Sequence, residues 1–221
     1  MTIEEKLIKI AENAAKAGGG DITKNPLYYA KIKAFQWAHV AFSEGFDLVM
    51  NVRDKPEDMN ALLTGTTGIK TVTLICEAEG TVSYAQLIRE STAEILDITD
   101  FKPIPTSIAY FVYNSKSIVS ILGELDLSSC TVATSAFANA TALKAIGFKE
   151  RTISISLDFH YCKNLSAESI YSIFMGCALE GSFTITFPPY ETIKSVYDAV
   201  YGEGQFDAQV AFLSNVTFAY S

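Results

Sequence analysis

The chain is poor in the residues that usually mark chemistry. Its 221 residues include two histidines, one tryptophan, four cysteines and six prolines. With only His39 and His160, a histidine-based metal site or proton relay has little to draw on. No Gly-x-Ser-x-Gly, phosphate-loop or His-Glu-x-x-His pattern is present. Thr64-Gly-Thr-Thr-Gly68 carries two glycines but no following Lys-Ser or Lys-Thr, so it reads as a turn. Basic residues never adjoin one another and the net charge is −8, which disfavours nucleic acid as a partner. No stretch approaches the roughly 20 apolar residues of a membrane-spanning helix. The opening Met1-Thr-Ile-Glu-Glu-Lys6 lacks the basic and apolar regions of a signal peptide. The expectation is a non-enzyme without metal, cofactor, nucleic acid or membrane insertion. It would be cytoplasmic or virion-associated rather than classically secreted.

The four cysteines, Cys76, Cys130, Cys162 and Cys177, form no C-x-x-C pair. Without a secretion signal they are expected to be reduced and buried. His39 falls on the apolar face of a predicted helix and His160 faces outward after Phe159. Glu57-Asp58, beside Pro56, reads as a solvated loop rather than a pair of glycosidase carboxylates.

What is present is repetition. An apolar residue is followed by another six positions later and a third nine later. The lines are Leu63, Ile69, Val72; Leu87, Ala93, Leu96; Val112, Ile118, Ile121; and Phe137, Leu143, Ile146. A fifth line opens with Phe159 and Leu165 and stops. Self-similarity at about 25 residues marks a solenoid, in which each unit buries its apolar face only by stacking on its neighbours. Cys162 follows Phe159 by three residues, an interior turn slot that Thr66, Glu90, Ser115 and Ala140 fill in the other lines. Thr71–Leu74, Ile95–Ile98, Leu125–Leu127 and Ile153–Leu157 alternate as strands, so a parallel sheet along one side of the core is expected. Pro103 and Pro105 suit a bend in the third coil.

The ends follow other patterns. Residues 1–20 predict a short heptad helix, with Ile3, Leu7, Ile10, Ala14 and Ala17 as its seam, and a Gly18–Gly20 hinge. Such a helix is marginal alone, so homo-oligomerisation through Ile3, Leu7 and Ile10 is one expectation. Residues 21–50 predict a helical N-terminal cap, with a helix from Pro26 to Ser43. Residues 51–165 form the solenoid and residues 166–221 a C-terminal cap of the same domain. In that last section Ser166 starts a helix carrying Ile170, Ile173 and Phe174. A strand at Phe183–Phe187 follows, then a helix with Ile193, Val196, Tyr197 and Val200, a short helix at Gln205–Ser214 and a strand at Val216–Tyr220.

Two lines are specific enough to suggest kinship. Ala136-Phe137-x-Asn139-x-x-x-Leu143-x-x-Ile146 and Phe159-x-Tyr161-Cys162-x-x-Leu165 resemble the Ala-Phe-x-x-Cys-x-x-Leu-x-x-Ile line of BspA-type leucine-rich repeat proteins. The stretch from Ser156 to Ile170 and the opening Met-Thr-Ile-Glu-Glu-Lys-Leu, with Ala34-Phe35-Gln-Trp37, are similar to the back and front of such proteins encoded by Firmicute genomes and their prophages. The resemblance implies an α/β, degenerate leucine-rich-repeat solenoid with a parallel sheet, an N-terminal helical cap and an α/β C-terminal cap. The repeats are degenerate: only Phe159 is followed by the family cysteine, and Ala93 is undersized.

Function is then expected on the sheet face that points away from the core, at Thr71, Thr73, Asp97, Thr99, Ser120 and Asp126. The expected role is a binding or adhesion module for a protein or glycan. The alternative is a structural subunit of a phage tail or baseplate appendage.

Overall fold

The computed structural model describes His39, residues 41–51 and residues 59–221. The heptad helix, the glycine hinge, the Pro26 helix up to residue 38, and Glu57-Asp58 lie outside the described residues. The strands are β1 (Ala41–Asn51), β2 (Thr67–Cys76), β3 (Thr81–Val82), β4 (Ile95–Phe101), β5 (Ile104–Pro105), β6 (Ser120–Leu125), β7 (Ala145–Phe148) and β8 (Leu157–Asp158). After these come α1 (Ala167–Gly176), β9 (Phe183–Phe187), α2 (Tyr190–Tyr201), α3 (Gln205–Phe212) and β10 (Val216–Tyr220).

The molecule is a parallel-sheet solenoid of about five turns. Its main sheet runs β1-β2-β4-β6-β7, with smaller sheets β3-β5 and β10-β9-β8, and every pairing is parallel. The repeated apolar positions explain the stacking. Val72 pairs with Leu96 and Leu96 with Ile121 in register, and each of these side chains is at most 2% exposed. The first and second positions of every line are equally buried. Fully burying one such side chain contributes roughly 1.5–3 kcal/mol.

Between the strands each coil makes a run of tight turns. Thr66, Ser91, Ser115, Ala140 and Cys162 each donate their N–H three residues back, to Leu63, Ile88, Val112, Phe137 and Phe159. That pattern corrects the alignment of the second coil. Ile88, not Leu87, is the counterpart of Leu63, and Ser91, not Glu90, takes the interior slot. Glu90 is exposed and Ser91 is 3% exposed. The second coil gains one residue before Ser91 and loses one after it, which is why small Ala93 ends up in the core. The interior slots form a hydroxyl ladder. Thr66 Oγ1 and Ser91 Oγ are 2.8 Å apart, and Ser91 N–H donates to Ser115 Oγ at 3.2 Å.

Further expectations are corrected. The helix does not reach Ser43, because Ala41–Asn51 is strand, with Phe46, Leu48 and Met50 alternating into the core. A boundary at residue 50 therefore cuts through β1. His39 is an exposed turn residue with φ +61° whose N–H donates to Thr64 C=O at 2.7 Å; it lies in no helix. Ile153–Leu157 is not one strand: Ile153 makes a lone bridge with Cys177, and only Leu157 begins β8. Leu125–Leu127 leaves the sheet at Leu125, and Val200 is 58% exposed.

The C-terminal elements match the sequence reading. Ser166 Oγ accepts from Ser169 N–H and starts α1. This helix lies along the free edge of β7, where a further strand would pair. Ile146 N–H donates to Ser169 Oγ at 2.9 Å and Phe148 N–H to Ser172 Oγ at 2.8 Å. Two serine hydroxyls thus satisfy edge amides that would otherwise be open.

Candidate functional site

Strand alternation sends every second side chain of the main sheet outward. Register then aligns them in rows. One row is Asp47, Thr71, Ile95, Ser120 and Ala145; the next is Val49, Thr73, Asp97 and Leu122. Four expected site residues, Thr71, Thr73, Asp97 and Ser120, therefore share two adjacent rows. The sequence reading missed Leu122, which is 43% exposed and stands beside Asp97. Its signal was the pair Ile121-Leu122, of which strand geometry can bury only one member.

Thr99 and Asp126 sit differently. The register between β2 and β4 shifts after Thr73, so Thr99 lies in a bulge, its N–H donating to Asp97 Oδ1 at 3.0 Å. Gly123 follows in β6 with φ +88°, and a Cβ there would come within 2.9 Å of Thr99 N. Only glycine lets these two backbones approach so closely.

Asp126 lies beyond the end of β6, which corrects its expected place in the sheet. It lines a cleft of about 530 Å³ with Glu79, Lys102, Glu124 and Lys149. Lys149 Nζ is 2.8 Å from Asp126 Oδ2, and Ser128 N–H donates to Oδ1 at 3.0 Å. Burial pushes the Asp126 carboxyl up, but the hydrogen bonds from Lys149 and Ser128 outweigh it and hold it below the usual range. The cleft floor includes Tyr84, whose hydroxyl donates to Pro103 C=O. Pro103 and Pro105 also line the cleft, but Pro105 lies in β5, paired with Val82, which corrects its expected place in a bend.

All four cysteines are free and buried, and burial pushes the Cys162 and Cys177 thiols up to about 12. Such thiols are poor nucleophiles. His160 Nδ1 lies 2.8 Å from Asp158 Oδ1, and its ring centroid is 3.6 Å from that of Tyr161. Among the described residues no group of three or more His, Cys, Asp or Glu could hold a metal ion, and no helix is long and apolar enough to cross a membrane. Comparison with protein-family models, with curated proteins and with solved structures gave no match.

Proposed function

We propose that the chain is a non-catalytic binding module that presents its solenoid surface to a protein or glycan partner. The observation that carries this reading is the pair of outward rows. Hydroxyls of Thr71, Thr73 and Ser120, the Asp97 carboxylate and the exposed Leu122 are held in register on a sheet. A polar array with an exposed apolar side chain at one end, on a rigid support, suits recognition, since little ordering is needed on binding. A glycan array and a bacterial-surface binding screen on the full chain test it. Thr73→Arg is expected to abolish binding while leaving the melting temperature unchanged, and Asp97→Ala to abolish it with a small loss of stability, because Asp97 Oδ1 accepts from Thr99 N–H. Absence of binding in both screens would overturn the reading.

The BspA-type leucine-rich-repeat assignment belongs to the same proposal. It is supported by apolar positions that recur at 24 or 25 residues from Leu63 through Ile88 and Val112 to Phe137. On this reading the residues before β1 act as the N-terminal cap and the section from α1 onward as the C-terminal cap.

The sequence seam Ile3, Leu7 and Ile10 favours a second reading, a phage tail or baseplate appendage assembled through its N-terminus. Light scattering on the full chain should then show a stable oligomer, a trimer by preference, and removal of residues 1–20 should give monomer. A full-length monomer at high concentration would leave only the single-chain module.

A further inference from the structure

Among the described residues the turn ladder is interrupted at one junction. From the first coil to the second, Ala61, Leu63 and Gly65 donate N–H bonds to Ala85, Leu87 and Arg89. The next junction is joined by Tyr84, Gln86, Ile88 and Glu90, and the one after by Ile108, Tyr110, Val112 and Asn114. The corresponding donors of the fourth coil are Ala133, Ser135, Phe137 and Asn139. Among the described residues none of these four N–H groups has a backbone partner. The cause is visible in chain length. Phe159 follows Phe137 by 22 residues rather than 24 or 25. The shortened fifth coil cannot follow the fourth, and it pairs forward instead. Ile153 bridges Cys177, Leu157 pairs with Ile185, and Ser156 Oγ accepts from Thr184 N–H at 2.9 Å. The two coils still meet at the stacked rings of Phe137 and Phe159, 4.6 Å apart. On the face carrying β8 they separate around a groove of about 500 Å³, walled by residues 131–135 on one side and residues 154–158, 182–184 and Thr186 on the other.

We propose that this groove docks an extended peptide segment of a partner protein, which lies parallel to residues 131–135 and supplies the missing ladder layer. Three observations select that occupant. The unused donors Ala133 and Ser135 alternate as Ile108 and Tyr110 do where they bond Val132 and Thr134, so a backbone with carbonyls at alternate positions can take both. On the opposite wall the N–H groups of Ser154 and Ile155 also lack a backbone partner among the described residues. The walls are hydroxyl-rich, and Asp158 is their single charged residue, which fits a neutral segment of small or β-branched residues rather than a highly charged one. The inference rests on the binding-module reading and gives it a site apart from the outer rows of the main sheet.

Two measurements on the full chain test it. In amide hydrogen exchange without ligand, Ala133 and Ser135 should exchange freely while Tyr110 and Val112 are protected. Protection of Ala133 and Ser135 in that state would overturn the proposal. In the second, random octapeptides displayed on phage are selected on the full chain and one selected octapeptide is titrated by calorimetry. Ala133→Pro removes a donor that no bond among the described residues uses, so it should weaken that octapeptide at least tenfold with unchanged melting. An octapeptide that tolerates Ala133→Pro but is lost with Thr73→Arg would sink the groove and leave the binding module standing. Selection of no peptide, with oligosaccharide binding abolished by Ala133→Pro, would reassign the groove to glycans and overturn the peptide proposal. Absence of both peptide and glycan binding would overturn the two readings together.

Discussion

Backbone conformation at single residues shapes each coil. His39, Gly65, Glu90, Asn114 and Asn139 all have φ between +57° and +65°, and they stack at one corner of successive coils. A left-handed residue costs about 1–2 kcal/mol unless it is glycine, with asparagine penalised less. Glu90 is the poorest choice in that column, and its exposed pair with Arg89 adds little. Glu90→Asn should therefore stabilise the protein by about 0.5 kcal/mol in thermal melts. Gly123 illustrates the opposite case. Gly123→Ala would meet both the positive φ and the backbone of Thr99, with a loss of about 3 kcal/mol in urea unfolding. Gly181 has φ +86° but open space around its missing Cβ. Gly181→Ala should accordingly cost only about 1 kcal/mol.

At the scale of elements, α1 closes the main sheet through two hydroxyls. Ser169→Ala and Ser172→Ala each leave a β7 amide without its partner, at about 1–3 kcal/mol apiece by urea unfolding. The double variant should also self-associate, because it reopens a strand edge. Helices α2 and α3 are held by charge. Lys194 Nζ lies 2.5 Å from Asp207 Oδ2 and 3.2 Å from Asp198 Oδ2. The N–H groups of Phe206 and Gly204 bond Asp198 at 2.8 and 3.1 Å. The Phe206 amide chiefly lowers the Asp198 carboxyl, the Lys194 bond chiefly lowers Asp207, and the Asp207 bond chiefly raises Lys194. For the depressed carboxyls the added stability is full above the ordinary carboxylate range and is lost as pH falls through their lowered values. For Lys194 it is full below the ordinary lysine value and is lost as pH rises through its raised one. The melting temperature should hold steady between about pH 5 and pH 9. Asp198→Asn should flatten the decline on the acid side in a melting-versus-pH series.

Across the whole molecule, stability of a solenoid is a sum of coils and the interfaces between them. One interface here lacks its turn ladder, so cooperativity should be weakest there. Native-state hydrogen exchange in low urea should show β8, β9 and β10 opening as a unit before β2, β4 and β6. A single common opening energy for both groups would show that the α1–β7 bonds and the aromatic contacts suffice to couple them. Those contacts are Phe111 to Phe137 at 6.5 Å, Phe137 to Phe159 at 4.6 Å and Phe159 to Phe187 at 6.3 Å.

The repeat was legible in the sequence because burial obeys spacing. Leu63, Val112, Phe137 and Phe159 had to face inward for any stacked fold to close. The strand and helix order after Ser166 was legible for the same reason, since its apolar periods are unambiguous. What apolar spacing alone could not decide was register at single-residue precision. Leu87 and Ile88 are equally apolar and both are buried, so only the turn hydrogen bonds show that Ile88 is the counterpart of Leu63. Nor could it show β1, the bulge at Thr99 or the displacement of Asp126 into a cleft, because each depends on which neighbour a backbone segment pairs with. The unpaired junction belongs to the same class. A short coil can stretch across or pair forward, and the forward partners around Cys177 and Ile185 exist only once the chain has folded.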